Sequence, residues 1–408
     1  MPASPASPAR LPVSIGLLLG CAMLTAALGM GLRQTSGLFL APMTAAHGWT
    51  ASGFAFAIAL QVLLNGVSQP VFGQVADRIG ARRVLMGGAA LQACAVFGMA
   101  MSEGLPMFTF FAGVVMGLAV SAAGMPVVMA SLTRLLPDSM RSRAIGLGTA
   151  GSSFGQFLVV PLVQLGINGF GWQAAMLGVA LASLLIIPLA LPLNDAPAPP
   201  RPGGTEQTAR EALSVALRDS TFWCLFFGFL VCGMHVSFMA VHLPGFVASC
   251  HLPAAVGAGA ISLIGLFNIA GSLAAGELAG RWRRRELLVA IYASRGVLMA
   301  GFMLVEKTTA SVLVFSALMG LLWLSTVPPT MALCARNFGT RWLATIFGMI
   351  FLGHQIGGFT GAWLGGLVFD RTGSYDAMWT LGILAAAFAA LVHLPVRDGP
   401  PRAVPVPA

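Results

Sequence analysis

Twelve long apolar runs constrain the fold of this chain more than any other feature of its sequence. A helix needs about 20 mostly apolar residues to cross the hydrocarbon core of a bilayer, and each run is near that length or longer. We therefore predict an all-α membrane protein with twelve transmembrane helices. The first six runs cover Val13–Ala41, Ala51–Ala76, Val84–Met101, Pro106–Leu135, Ala144–Leu165 and Trp172–Leu193. The second six cover Thr221–Phe246, Pro253–Ala279, Glu286–Val305, Ala310–Ala335, Trp342–Phe369 and Tyr375–Leu394.

The composition excludes an ordinary water-soluble protein. Apolar residues make up 57% of the chain and charged residues 9%, whereas about a quarter of the residues of a typical globular domain are charged. Most of the outer surface must therefore face lipid, and the bilayer is the first predicted partner. The net charge of +9 does not indicate nucleic acid binding, because the Arg residues stand in short clusters between the apolar runs.

The basic residues are distributed unequally between the two sides of the predicted bundle. Eighteen of the 22 lie in the two termini and in the loops that follow the even-numbered runs, which define the Arg-rich side. The other loops define the Arg-poor side and hold only Lys307 and Arg371. Because short cytoplasmic loops carry the excess of Lys and Arg, we predict a multi-pass protein of a bacterial inner membrane with both termini cytoplasmic.

The single long polar stretch between the runs divides the chain into two halves. Its Pro- and Gly-rich front is typical of a flexible linker, and its rear predicts a short surface helix. The predicted domains are a cytoplasmic tail (1–12), a six-helix bundle (13–193), a cytoplasmic linker (194–220), a second six-helix bundle (221–394) and a second cytoplasmic tail (395–408).

The two halves repeat each other. GQVADRIGARR from Gly73 corresponds to GELAGRWRRR from Gly276, and the Met-Pro pair ending at Pro126 corresponds to the Val-Pro pair ending at Pro328. Each segment follows or interrupts the equivalent helix of its half. A parallel repeat of six helices is a known transporter architecture, in which the substrate site lies near the bilayer midplane at the repeat interface.

The loop after the second run carries the motif by which the chain resembles the major facilitator superfamily. GQVADRIGARR matches the signature G-x-x-x-D-R-x-G-x-R-R over Gly73–Arg83. The resemblance implies the major facilitator fold, with two six-helix bundles. It also implies that Asp77, Arg78, Arg82 and Arg83 are gating elements whose charge contacts across the halves break between states.

Other segments narrow the resemblance to one branch of that superfamily. SGLFLAPMTAAHGWTAS, Ser36–Ser52, is similar to the helix 1–2 segment of the monocarboxylate and oxalate/formate branch. Two departures limit what can be transferred. Gly280 replaces the Asp in the second copy of the loop motif, so an equivalent lock is not expected there. Asn268 and Ser272 stand where the animal monocarboxylate carriers have an Asp and an Arg, so a lactate-type mechanism cannot be transferred intact.

Arg33 and Gln34, in the first run, are the leading candidates for substrate binding. A charged group at this depth is costly and is rarely kept without a partner or a pocket. A guanidinium also suits bidentate binding of a carboxylate. The alternative is an Arg that snorkels to the membrane interface. Arg295, in the ninth run, belongs to a helix that the resemblance makes peripheral, and we expect it to bind neighbouring carbonyl groups rather than substrate.

Polar side chains in the second half complete the predicted site. His235 and His354, with the adjacent Gln355, are expected to face the substrate, because a His inside the membrane can bind an anion or exchange a proton. The alternative is a neutral His that bonds to a backbone carbonyl between helices. Asn268 and Trp323 are predicted to line the same pocket, with helix-to-helix bonding as the alternative.

The placement of acidic residues separates the possible substrates. None of the 13 Asp and Glu residues lies deep in a predicted helix, whereas proton-coupled drug and sugar carriers of this superfamily usually bury a carboxylate. We therefore predict a secondary transporter of a small organic anion, with proton symport and anion exchange both open. The alternatives are a proton-coupled exporter of drug-like or neutral solutes, and a membrane receptor without transport activity.

Neither enzymatic activity nor a cofactor is predicted. The sequence has no nucleotide-binding loop, no nucleophile–base arrangement and no Cys or His spacing typical of a metal site. We expect a monomer whose partners are its substrate, the lipid bilayer and, in the symport alternative, protons.

Overall fold

A computed structural model describes residues 14–136, 138–193, 209–339 and 342–398. The described chain is helical. The first half contains α1 (Ile15–Arg33), α2 (Leu40–His47), α3 (Ala51–Ile79), α4 (Ala81–Ala100), α5 (Leu105–Phe108), α6 (Met116–Ala122), α7 (Met125–Leu135), α8 (Asp138–Leu184) and α9 (Ile186–Ala190). The second half contains α10 (Ala209–Leu217), α11 (Ser220–Ser249), α12 (Ala254–Arg281), α13 (Arg284–Leu304), α14 (Thr309–Leu322), α15 (Val327–Phe338), α16 (Leu343–Thr372) and α17 (Asp376–His393).

The prediction of twelve membrane-crossing helices is confirmed for the described residues. Ten helical segments are long and apolar enough to cross a membrane. One of them, Ala150–Ala190, contains two helices that meet at Gly171, where φ is 83°. The glycine allows this turn because a residue with a Cβ is strained in the left-handed region. The twelfth helix is α16, whose length of 30 residues is sufficient to span.

Local sequence explains where many of these helices begin. Thr50 precedes α3, and its hydroxyl accepts a hydrogen bond from the N–H of Gly53 at 3.1 Å. Asp219 caps α11 through the N–H of Thr221 in the same manner. Such side-chain acceptors satisfy N–H groups that have no partner within the helix. The helix predicted at the rear of the linker is α10, which has buried alanines on one face.

Glycine contacts reveal the repeat in three dimensions. In the first half, Gly151 and Gly155 of α8 lie against the backbone of α1, and a Cβ at Gly155 would collide with Ala27. In the second half, Gly353 and Gly357 of α16 lie in the same way against the backbone of α11. Small residues allow helix backbones to approach closely inside a membrane. The two bundles therefore share a packing motif at equivalent positions, as the sequence repeat predicted.

The fourth and tenth spans are broken at equivalent depths. Between α6 and α7 the chain leaves the helix at Ala123 and Gly124, and Pro126 stands at the start of α7. Between α14 and α15 the break begins at Trp323, and Pro328 stands at the start of α15. Proline lacks the N–H that an interior helical position would require. The predicted break in the tenth span is confirmed.

Candidate substrate site

The two bundles contact each other from the Arg-poor side to the middle of the membrane. On one flank α3 packs against α16, where the backbone of Gly66 touches the side chain of Gln355. On the other flank α8 packs against α12, where Asn268 donates to the hydroxyl of Ser153 at 3.0 Å. Several hydrogen bonds and close glycine contacts join the bundles in the described chain. Of these, the Gly66–Gln355 contact and the Asn268–Ser153 bond lie nearest the Arg-rich side.

The first span also joins the bundles on the Arg-poor side. A Cβ on Gly37 would collide with the carbonyl oxygens of Ala240 and Val241 in α11. On the Arg-rich side, α7 and α15 pack on helices of their own bundles. The structure is therefore closed towards the Arg-poor side.

The first span changes its helical form at the predicted substrate residues. The α-helix ends at Arg33, and a 3₁₀ segment, Ser36–Phe39, precedes α2. The hydroxyl of Thr35 donates to the carbonyl of Leu32 at 2.7 Å, and the same carbonyl accepts the backbone N–H of Thr35 at 3.3 Å. A stretch of 3₁₀ helix within a span often marks a functional hinge. The sequence predicted one continuous helix here, and the break within it was not anticipated.

Arg33 lines a small cavity inside the first bundle. The cavity has a volume of about 30 Å³ and polar groups from Arg33, Thr35 and Gln61. Its remaining wall is formed by Leu32, Ser36, Phe39, Val96, Met99, Met116, Met176 and Val179. In the described chain, no hydrogen bond or ion pair involves the guanidinium of Arg33 or the side-chain amide of Gln61. The cavity therefore presents unpaired polar donors, one of them a full positive charge.

Gln34, next to Arg33 in the sequence, is buried. Its side chain is 5% exposed, and its Nε2 has no hydrogen-bond partner among the described residues. An unpaired buried amide costs free energy comparable to a lost hydrogen bond. Gln34 is therefore a third unsatisfied donor, besides Arg33 and Gln61.

The histidines of α11 form hydrogen bonds within the second bundle. His235 lies 2.9 Å from the carbonyl of Gly382 in α17, and His242 lies 2.6 Å from the carbonyl of Ala362 in α16. Both side chains are fully buried. These contacts match the alternative in which a neutral His bonds to a carbonyl between helices. In this conformation the structure does not bring His235 to Arg33.

His354 and Gln355 connect the two bundles. Nδ1 of His354 lies 3.1 Å from Oε1 of Gln355, and Nε2 of Gln355 donates to the carbonyl of Val62 in α3 at 2.9 Å. The ring of His354 packs between Phe229 and Phe351. The predicted pair therefore lies at the bundle interface, and its polar atoms contact protein groups in this conformation.

Asn268 is also part of the interface. Besides its bond to Ser153, its Oδ1 accepts the backbone N–H of Leu324 at 3.1 Å, within the break of the tenth span. The hydroxyl of Ser272 donates to the same oxygen at 3.1 Å. The polar groups of Asn268 are thus used in helix-to-helix bonding, which was the alternative to a lining role.

Arg295 binds neighbouring carbonyl groups, as predicted, and these carbonyls lie at the same break. Its guanidinium donates to the carbonyls of Leu322 and Trp323 and to the sulfur of Cys232. The Trp323 ring is buried in the core of the second bundle, and its Nε1 has no hydrogen-bond partner among the described residues. Trp323 therefore contributes a carbonyl to the Arg295 contact, and its ring packs against apolar neighbours.

The predicted gating residues lie at the Arg-rich end of α3 and the start of α4. Arg78 and Arg83 are exposed, and Arg82 is half-buried. Gly80 separates the two helices with a φ of 88°. The side chain of Asp77 lies outside the described part of the structure. Its backbone lies two residues before Ile79, the last residue of α3.

Sequence reasoning missed two residues that the structure brings into these contacts. Gln61 lies in the Arg33 cavity, and its amide within a mostly apolar run is the feature that could have indicated it. Asp370, at the Arg-poor end of α16, hydrogen-bonds to the first residues of α3 in the other bundle. An acidic residue at the end of a predicted span is the feature of the sequence that could have indicated it.

Comparison with known proteins agrees with this architecture. The sequence profile of the Major Facilitator Superfamily matches residues 19–362. An uncharacterized MFS-type transporter of Bacillus subtilis, YcxA, is 23% identical over 382 residues, covering 90% of this chain and 92% of the relative. Human monocarboxylate transporter 11 is 25% identical over 397 residues, covering 93% of this chain and 81% of the relative.

A solved structure shows the same fold. The crystal structure of a D-xylose-proton symporter superposes with a TM-score of 0.75 at 14% identity, covering 94% of this chain and 98% of that chain. The profile match spans most of the chain, and the repeat, the broken spans and the bundle interface agree with it. The chain belongs to the Major Facilitator Superfamily and is a membrane transporter.

Proposed function

We propose that this transporter moves a small organic anion, specifically a carboxylate, across the membrane by alternating access. One observation carries the proposal: the guanidinium of Arg33 has no protein partner among the described residues, although it lies in a cavity within the membrane-spanning part of the first bundle. An unpaired cation at this depth costs several kcal/mol or more. A substrate anion would offset that cost.

The chemistry of the cavity favours a carboxylate. The planar guanidinium fork of Arg33 matches the two oxygens of a carboxylate. The amide of Gln61 supplies a further hydrogen-bond donor on the same cavity. The relatives named monocarboxylate transporter 11 and monocarboxylate transporter 13 support this choice of anion.

The size of the cavity limits how the substrate binds. A volume of about 30 Å³ holds a water molecule or the charged end of a small acid, so the rest of the substrate lies outside it in this conformation. Met99, Met116 and Met176 form part of the wall. Methionine side chains are flexible and repack readily. We infer that the cavity widens when substrate enters.

The closure on the Arg-poor side supports alternating access. Cytoplasmic loops carry the excess of Arg, so we place the Arg-rich side in the cytoplasm of a bacterial cell and both termini with it. The bundles then meet on the outer side and the conformation faces the cytoplasm. Rocking of the bundles about the central contacts would reverse that access.

Uptake by proteoliposomes tests the proposal. The purified transporter is offered labelled monocarboxylates, dicarboxylates and neutral solutes, each with and without a pH gradient. We expect saturable uptake of carboxylates, and the response to the pH gradient distinguishes proton symport from anion exchange. Uptake of neutral solutes alone would refute the anion proposal and favour the drug or neutral-solute exporter. Binding without uptake of any solute would favour the receptor.

A further inference from the structure

A carboxylate of the second bundle caps the N-terminus of a helix in the first bundle. Asp370 lies near the Arg-poor end of α16. Its Oδ1 accepts the backbone N–H of Ala51 at 2.9 Å, and its Oδ2 accepts the backbone N–H of Ser52 at 2.7 Å. Ala51 and Ser52 are the first two residues of α3. The contact joins residues more than 300 positions apart in the sequence.

The contact completes the cap of α3. The first N–H groups of a helix have no partner within it, and the hydroxyl of Thr50 accepts only that of Gly53. Asp370 accepts the N–H groups of Ala51 and Ser52, which have no other acceptor among the described residues at the start of α3. A negative charge at this position also interacts favourably with the positive end of the helix dipole. The cap of α3 is therefore complete only while the two bundles are together on the Arg-poor side.

The surrounding packing brings the two backbones close enough for this bond. Gly366, one turn before Asp370, lies against the backbone of Ala51 and Ser52, where a Cβ would stand 2.7–2.8 Å from their atoms. Phe56 of α3 packs edge-on against Trp363 of α16, with ring centroids 5.8 Å apart. Asp370 thus stands at the outer end of a continuous α3–α16 contact.

We propose that Asp370 is a positioning residue that holds the transporter closed on the Arg-poor side by capping α3 across the bundle interface. Opening on that side separates the carboxylate from both N–H groups, and each then bonds to water. Asp370 therefore sets the balance between the two access states. This role is independent of which substrate the transporter carries.

The expected size of the effect follows from exposure. Asp370 is solvent-exposed, so water screens its charge and weakens the interaction relative to a buried pair. Two charge-assisted bonds to backbone N–H groups remain. We expect removal of the charge to shift the ratio of closed to open molecules by roughly three- to tenfold.

Distance measurement between the bundles tests the proposal. Spin labels are attached at Glu103→Cys and Glu306→Cys, two exposed positions in loops on the Arg-poor side. The full chain carries no other cysteine, and this background must keep the melting temperature of the native protein. Double electron–electron resonance then reports the populations of short and long distances across the Arg-poor side.

We expect Asp370→Asn to increase the long-distance population severalfold at an unchanged melting temperature, and Asp370→Glu to lie between this variant and the parent. Asp376→Asn is the matched control, because it removes the same charge from an exposed residue on the same side without a described hydrogen bond to the first bundle. An unchanged distribution in Asp370→Asn would overturn the proposal. An equal increase of the long-distance population in Asp376→Asn would also overturn it, as would an Asp370→Glu protein with the same distribution as Asp370→Asn. A lower melting temperature of Asp370→Asn with an unchanged distance distribution would do the same.

Discussion

The amide of Gln355 donates to the backbone carbonyl of Val62 at 2.9 Å, across the interface between the two bundles. The same side chain packs on Gly66, and its Oε1 lies 3.1 Å from Nδ1 of His354. This bond lies at the inner limit of the α3–α16 contact, where the bundles begin to separate. It therefore belongs to the closed state of the Arg-poor side.

Replacement of Gln355 by Leu is expected to weaken that closed state. A typical intramolecular hydrogen bond contributes about 1 kcal/mol, so the ratio of closed to open molecules should fall by roughly fivefold. Distances between spin labels on the Arg-poor side measure this ratio. Gln69→Leu is the control, since Gln69 lies on α3 towards the Arg-rich side and has no hydrogen bond to its side chain in the described chain. Equal effects of the two variants would contradict the assigned role.

Gly155→Ala is expected to destabilise the first bundle. The added Cβ would collide with the backbone of Ala27, which cannot move without displacing α1. Overpacking of this kind costs about 1–3 kcal/mol, and thermal unfolding in detergent should show a lower melting temperature. Gly178→Ala, in the helix that follows the turn at Gly171, meets no atom within 4 Å and should leave the melting temperature unchanged. An unchanged melting temperature of Gly155→Ala would show that the α1–α8 contact is looser than described.

Asp77→Asn is expected to shift the access states in the direction opposite to Asp370→Asn. The two helices α3 and α16 are antiparallel, and Gly66 lies opposite Gln355. Equal steps along both helices from that contact place residue 77 opposite residue 344, in the first turn of α16. Loss of the charge should therefore weaken closure on the Arg-rich side. Spin labels at exposed positions on that side should report a larger long-distance population, and a smaller one would contradict the gating prediction.

Cys250 reports the orientation of the protein in the membrane. It caps α11 on the Arg-poor side, and partial burial raises the pKa of its thiol. A raised thiol pKa lowers the thiolate fraction near neutral pH, so labelling by a maleimide should be slow at pH 7 and should accelerate as the pH rises past the ordinary thiol value near 8.5. With Cys250 as the only cysteine, an impermeant maleimide should label intact spheroplasts.

A cysteine at Arg218 provides the matching control for orientation. Arg218 is exposed on the Arg-rich side, so Arg218→Cys should be labelled only in inverted vesicles. The reverse pattern for the two positions would place the termini outside the cytoplasm.

The sequence predicted the depth of each helix better than its rotation about its own axis. The twelve spans, the break before Pro328 and the carbonyl contacts of Arg295 all depend on length, proline chemistry and burial of charge, which a sequence displays. The neighbours of Arg33 and His235 depend on which face of the helix turns inward. Lipid and protein core are both apolar, so the pattern of apolar residues does not distinguish these faces.

Contacts between the bundles were hidden from the sequence for a different reason. The bonds of Gln355, Asn268 and Asp370 join segments far apart in the chain, and they depend on which access state the transporter adopts. One sequence specifies both access states. The predicted pocket that would unite Arg33 with His235 and His354 is not formed in the state described, which is closed on the Arg-poor side.

The affinity of Arg33→Gln for a carboxylate substrate tests the central claim most directly. The substrate is first identified by uptake, and its dissociation constant is then measured by calorimetry for the parent, Arg33→Gln, Arg33→Lys and Arg218→Gln. Loss of a charge-assisted bidentate contact costs about 1.5–3 kcal/mol, so Arg33→Gln should bind at least tenfold more weakly, with Arg33→Lys between. Arg218→Gln removes the same charge at an exposed site and should bind normally. Full affinity in a folded Arg33→Gln protein would contradict the assignment of Arg33 as the anion-binding residue.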